Sequence, residues 1–108
     1  MAKYEKTLDC GFDEALEIIT DGILSGSISA DMEDASDFIC RNSRCSVRVF
    51  ERYSYLGGNR VSLSVTLFEG EDGAVHMSAI TSGGSQAVFM KLNTFGEEAF
   101  LDKLREII

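Results

Sequence analysis

Proline and tryptophan are absent from this chain, histidine occurs once, cysteine three times, and basic residues are outnumbered by acidic ones, 10 to 18. Each shortage excludes something. Without proline, any sheet edge lacks one of the common guards against unwanted strand pairing. With His76 as the sole histidine, every mechanism built on imidazole must use that one residue. Cys10, Cys40 and Cys45 are odd in number and follow no export leader, so reduced thiols are expected rather than a disulfide framework. No stretch approaches the roughly 18 uninterrupted apolar residues of a membrane helix. The start, Met1 to Glu5, has no basic-then-apolar signal region, and a cytoplasmic location without a membrane partner is expected. A net charge of −8 repels a phosphate backbone and argues against nucleic acid as a partner.

What is present describes one ordinary globular domain over residues 1–108. A hydrophobic fraction of 44% with 26% charged residues suits a single core of this size. From Cys45 to Gly84 the pattern is that of three consecutive antiparallel strands. Val47 and Val49, then Val61, Leu63, Val65 and Leu67, then Val75, Met77 and Ala79 recur at every second residue, which places them on one face. The alternate positions are Arg48, Phe50, Arg52, Ser62, Ser64, Thr66, Phe68, His76, Ser78 and Ile80. That second face is too apolar for plain solvent and too polar for a second core. The loops Tyr55–Asn59 and Glu69–Gly73 are rich in residues that tolerate positive φ, as hairpins require.

Around these strands, Lys3–Asp9 alternates as a short first strand, with Tyr4 and Leu8 inward. Phe12, Ala15, Leu16, Ile19 and Ile23 follow helical spacing, with Asp13, Glu14 and Glu17 toward the positive end of the helix dipole and Gly26 as its stop. Ser27–Glu33 alternates again as a strand with Ile28, Ala30 and Met32 on one side. The acidic tract that follows reads as a solvated edge, because Asp31, Glu33, Asp34 and Asp37 lack the spacing and central glycine of a calcium loop. Phe38, Ile39 and Cys40 are then expected to return the chain to the core before the polar connection Arg41–Arg44. Ala87–Leu92 is read as a last extended piece. Thr94 to Glu97 fits a capping box opening a helix, with Phe100, Leu101, Leu104, Ile107 and Ile108 on its apolar arc. The fold class predicted is α+β: a single antiparallel sheet of five to six strands (β-α-β4/5-α) with both helices packed on its strongly apolar face.

The element order, with the stretches Ala79–Ser85 and Asn93–Leu104, resembles an uncharacterised family of small bacterial proteins of unknown function. That resemblance implies a fold and no activity. The same order looks like the sheet-and-two-helix layout of TATA-binding-protein-like domains, or a shortened helix-grip domain, analogies of fold that carry no function across.

Candidate chemistry gathers on the second sheet face. His76 shares it with Ser62, Ser64, Thr66 and Ser78, yet a nucleophilic mechanism also needs a group to orient the base and an oxyanion site, and no Gly-x-Ser-x-Gly elbow occurs. A polar surface or interface histidine is the expected role. Cys40 and Cys45 with Cys10 and His76 offer soft ligands but no tight Cys-x-x-Cys pair, so no metal and no cofactor are expected and the thiols read as small fillers. Ser82–Ser85 is a strand exit rather than a phosphate loop, since no Gly-Lys-Ser/Thr follows. Arg48 and Arg52 flanking Phe50 would suit a carboxylate or phosphate on an apolar body.

Two functional expectations follow. The first is a non-enzymatic domain that forms a homodimer through the outer face, where Phe50, Phe68 and Ile80 would otherwise leave an apolar patch. The second is a module for an anionic, partly apolar small molecule on the same face. The residues involved are Arg48, Phe50, Arg52, Ser64, Thr66, Phe68, His76, Ser78 and Ile80, with no catalytic residue assigned.

Overall fold

Alternating apolar side chains need a second apolar layer, and in the computed structural model two helices supply it for part of a five-stranded sheet. The structure describes residues 1–54, 59–83 and 90–108. Its elements are β1 (Ala2–Leu8), α1 (Phe12–Gly26), β2 (Asp31–Cys40), β3 (Ser43–Ser54), β4 (Asn59–Glu69), β5 (Val75–Gly83) and α2 (Met90–Ile107). All neighbours are antiparallel, in the order β1-β5-β4-β3-β2. This is the predicted α+β architecture, with five strands.

The core lies between the helices and β1, β5 and β4. Val61, Leu63, Val65 and Leu67 of β4 and Val75, Met77 and Ala79 of β5 are buried, as the period-two pattern requires. They meet Phe12, Ala15, Ile19 and Ile23 of α1 and Phe100, Leu101 and Leu104 of α2. The helices touch at Gly22, where an added Cβ would come within 2.7 Å of the Ile107 side chain. Glycine is therefore needed there for close approach.

Three expectations are corrected. The strand expected at Ser27–Glu33 begins at Asp31 instead and runs through the acidic tract; Ser27–Ala30 is a turn closed by the Ala30 amide on the Ser27 carbonyl at 3.2 Å. Phe38 and Ile39 do not return to the core but are 64% and 76% exposed. As an edge strand beyond the helix layer, β2 has no buried face to impose alternation. A bulge between Met32 and Asp34 further breaks its period. Helix α2 begins at Met90, so Met90–Leu92 are helical rather than extended and Thr94 is an interior position. Glu97 turns into the protein and meets the Met1 amino group at 2.5 Å instead of capping the helix. The remainder of the Ala87–Leu92 stretch, the loop residues Tyr55–Gly58, and Gly84 and Ser85 lie outside the described residues.

A fourth correction concerns β3. Phe50 pairs with Leu63, Arg48 with Val65 and Arg52 with Val61, so this set points toward the helices. Val47 and Val49, paired with Thr66 and Ser64, point away. Phe50 is fully buried. A one-residue difference in register exchanges every side chain between faces, and burial of the larger phenyl ring outweighs that of two half-buried valines. Arginines suit the margin of the core, because a guanidinium can lie on an aromatic ring and still carry its charge at the border of the packed layer. The Arg44 guanidinium lies 4.0 Å over the Phe12 ring, and that of Arg52 4.6 Å over Phe100.

This register has a direct test. Phe50→Ala is expected to reduce the free energy of unfolding by about 3–5 kcal/mol, and Val49→Ala by less than ~1 kcal/mol, in urea denaturation. Equal losses would contradict the assignment of faces.

Candidate functional site

The sheet face turned away from the helices is organised in rows by strand pairing. At one end, Phe38, Cys45, Phe68, His76 and Thr7 stand side by side across β2, β3, β4, β5 and β1. The next row is Ser36, Val47, Thr66, Ser78 and Glu5, and the next Asp34, Val49, Ser64, Ile80 and Lys3. Beyond them the face ends in charge, where Arg60 pairs with Glu51 at 2.9 Å and Asp31 at 3.7 Å. The middle of the face is thus neutral, made of hydroxyls and aliphatic groups. Its exposed large apolar residues include Phe68 at 45%, Ile80 at 40% and Phe38.

Of the sequence-predicted site residues, Ser64, Thr66, Phe68, His76, Ser78 and Ile80 share this face. Thr66, Phe68, His76 and Ser78 also line, with Glu5 and Thr7, an open depression of about 340 Å³. The Thr7 hydroxyl and His76 Nδ1 are 3.1 Å apart. Among the described residues that is the ring's hydrogen-bond partner, so no carboxylate orients the imidazole in the manner of a triad.

Arg48, Phe50 and Arg52 are on the opposite face and do not form an anion clamp with one another. Phe50 is enclosed by the core. Arg48 is held by Asp37, with contacts of 3.1 and 3.4 Å. Arg52 rests on Phe100, and burial pushes its guanidinium below its ordinary pKa. The thiols are also dispersed. Cys10 packs against the core after β1, while Cys40 and Cys45 sit on the β2–β3 hairpin.

Sequence reasoning missed the outer-face roles of Phe38, Cys45, Val47 and Val49. The signal that could have found them is the hairpin itself. Only Arg41 and Asn42 separate the paired Cys40 and Ser43, and a two-residue loop fixes the register of both strands. Arg41 adopts φ 54° there, a conformation that glycine or asparagine more often supplies, which hid the turn.

The charged groups around β2 and β3 are structural. Ser46 donates to Asp37 and Arg48 pairs with it, holding its carboxyl below the usual carboxylate range. Arg44 grips both oxygens of Asp13 at 3.0 and 3.1 Å, with the same effect on that carboxyl, and ties β3 to the start of α1.

The whole chain, residues 1–108, matches the model of DUF6054, a family of unknown function, and the chain belongs to that family. No curated protein and no solved structure matches it.

Because the carboxyls of Asp13 and Asp37 titrate lower in the folded than in the unfolded chain, their contributions to stability are present above the ordinary carboxylate value. They are lost as pH falls through the lowered ones. Thermal melts of Asp37→Asn and the parent chain should therefore differ at pH 7 and converge as pH falls through the lowered value. A constant difference across that range would remove Asp37 from the acid response.

Proposed function

We propose that this member of DUF6054 is a non-enzymatic binding module that pairs with a second copy of itself across the outer sheet face, in a reducing, cytoplasmic setting. The observation that carries the reading is Phe68, a large aromatic on the central strand of a sheet face that no described element covers, 45% exposed and flanked by a neutral field. Exposed apolar patches of this kind mark interaction surfaces.

The rows favour one arrangement. A two-fold axis parallel to β4 lays β1 of one copy over β2 of the other. Phe68 then faces Phe68 of the second copy, and Ile80 faces Val49. Lys3, which also lies 3.7 Å from Glu5 of its own strand, faces Asp34, so one contact of opposite charge stands at each margin although the chain as a whole is acidic. Sheets stack face to face about 10 Å apart in this way. Five strands about 4.8 Å apart and three rows along them give a face of roughly 24 by 20 Å, on the order of 500 Å² per copy. The total of about 1,000 Å² is near the lower bound for a specific interface.

The anionic-ligand reading draws no comparable support, since its arginine anchors lie on the other face, one in an ion pair and one on a ring. The three thiols are free, as a reducing compartment requires.

Sedimentation equilibrium is expected to give a dimer mass for the parent chain and a monomer mass for Phe68→Arg, with the fold retained because Phe68 is outside the core. Glu17→Gln, which makes the same change in charge on an exposed part of α1, should remain dimeric. A monomeric parent chain at high concentration would refute the proposal.

A further inference from the structure

We infer that the free edge of β2 accepts an extended, basic polypeptide segment as an additional strand. This surface is separate from the outer face and does not rest on dimerisation. Among the described residues, the edge position leaves the outward backbone N–H and C=O groups of a ten-residue strand without a strand partner, and such a row is a template for strand addition. All ten residues are exposed. The helices pack over β1, β4 and β5, leaving β2 beyond their layer.

The side chains of β2 then define the occupant. Phe38 on the outer side and Ile39 on the helix side are among the most exposed large apolar residues of the chain, and a strand that had only to stay solvated has no use for them. Beside them stand Asp31, Glu33, Asp34 and Asp37. Asp31 and Asp37 meet Arg60 and Arg48. Among the described residues Glu33 and Asp34 have no cationic partner. An incoming strand therefore gains from apolar side chains on the helix side, beside Met32, Ala35 and Ile39, and from lysine or arginine on the outer side, beside Asp34. A second copy of β2 would instead bring eight carboxylates together along one seam, which like-charge repulsion opposes. Missing proline leaves the seam open along its length.

The probe is a fluorescein-labelled peptide as long as β2, ten residues, of alternating lysine and valine, acetylated and amidated, added to the full chain. Anisotropy should report binding, and amide shifts in nitrogen–proton spectra should centre on Asp31–Cys40. Two further peptides are methylated on the backbone nitrogens, one at the valines and one at the lysines, so that each loses the donors of one strand edge and keeps its charge. One of them should bind at least about tenfold more weakly than the parent peptide while the other does not, because strand addition uses a single edge. Glu33→Lys should weaken the parent peptide about threefold or more.

Equal binding by all three peptides would mean adsorption to an acidic surface and overturn the inference. So would binding by the corresponding glutamate–valine peptide, shifts centred away from β2, or no binding at millimolar peptide. A self-association that maps to β2 on dilution would overturn the choice of a basic segment. Each of these readouts is independent of the mass shift produced by Phe68→Arg, so the two proposals fail separately.

Discussion

The pairing of Phe50 with Leu63 across β3 and β4 is the constraint on which the rest of the arrangement depends. It places the most deeply buried aromatic of the sheet between the strands and the helices. Every other residue of β3 follows, since neighbouring side chains alternate without freedom to choose. Ser46, Arg48 and Arg52 join Phe50 on the helix side, and Cys45, Val47 and Val49 are committed to the outer face. Two valines are given up to partial exposure so that one phenyl ring is enclosed.

That choice is workable because the helix layer ends near β3. Over β4 and β5 the helices demand apolar side chains at each inward position, and Val61 to Leu67 and Val75 to Ala79 meet the demand. At the margin, the inward positions need a group that can cover a ring. Arg44 and Arg52 lay their guanidinium groups over Phe12 and Phe100, a contact that arginine makes and valine cannot. Past the margin, β2 is wet on both faces. Its carboxylates are partly matched by Arg48 and Arg60.

Two surfaces of different character result. The outer face is neutral at its centre and carries Phe68, while the β2 edge is acidic and has no strand along its outward side among the described residues. His76 is tied to a hydroxyl rather than to a carboxylate, and the arginines that might have anchored an anion are occupied in holding β3 to its neighbours. The outer face offers apolar area, and the β2 edge offers backbone groups and charge. Membership of DUF6054 adds no activity to this description.

By itself the sequence determined the element order, the antiparallel sheet, the first helix to its end at Gly26 and the buried faces of β4 and β5. Those signals are local: a period of two or of 3.6 is written into consecutive residues wherever one side is in full contact with a core. Only the tertiary structure decided which face β3 turns inward, where β2 begins, and that α2 starts at Met90. Val47 and Val49 alternate as well as Phe50 does, and nothing local says which set the helices will cover. That choice depends on the pairing of Phe50 with Leu63 and on how far the helix layer reaches, both settled by contacts between residues distant in the chain. The candidate surface was legible to the same extent. Phe68, His76 and Ile80 were found because their strands are fully packed on the other side. Phe38, Val47 and Val49 were not, because at the margin of a core the pattern no longer tells inside from outside.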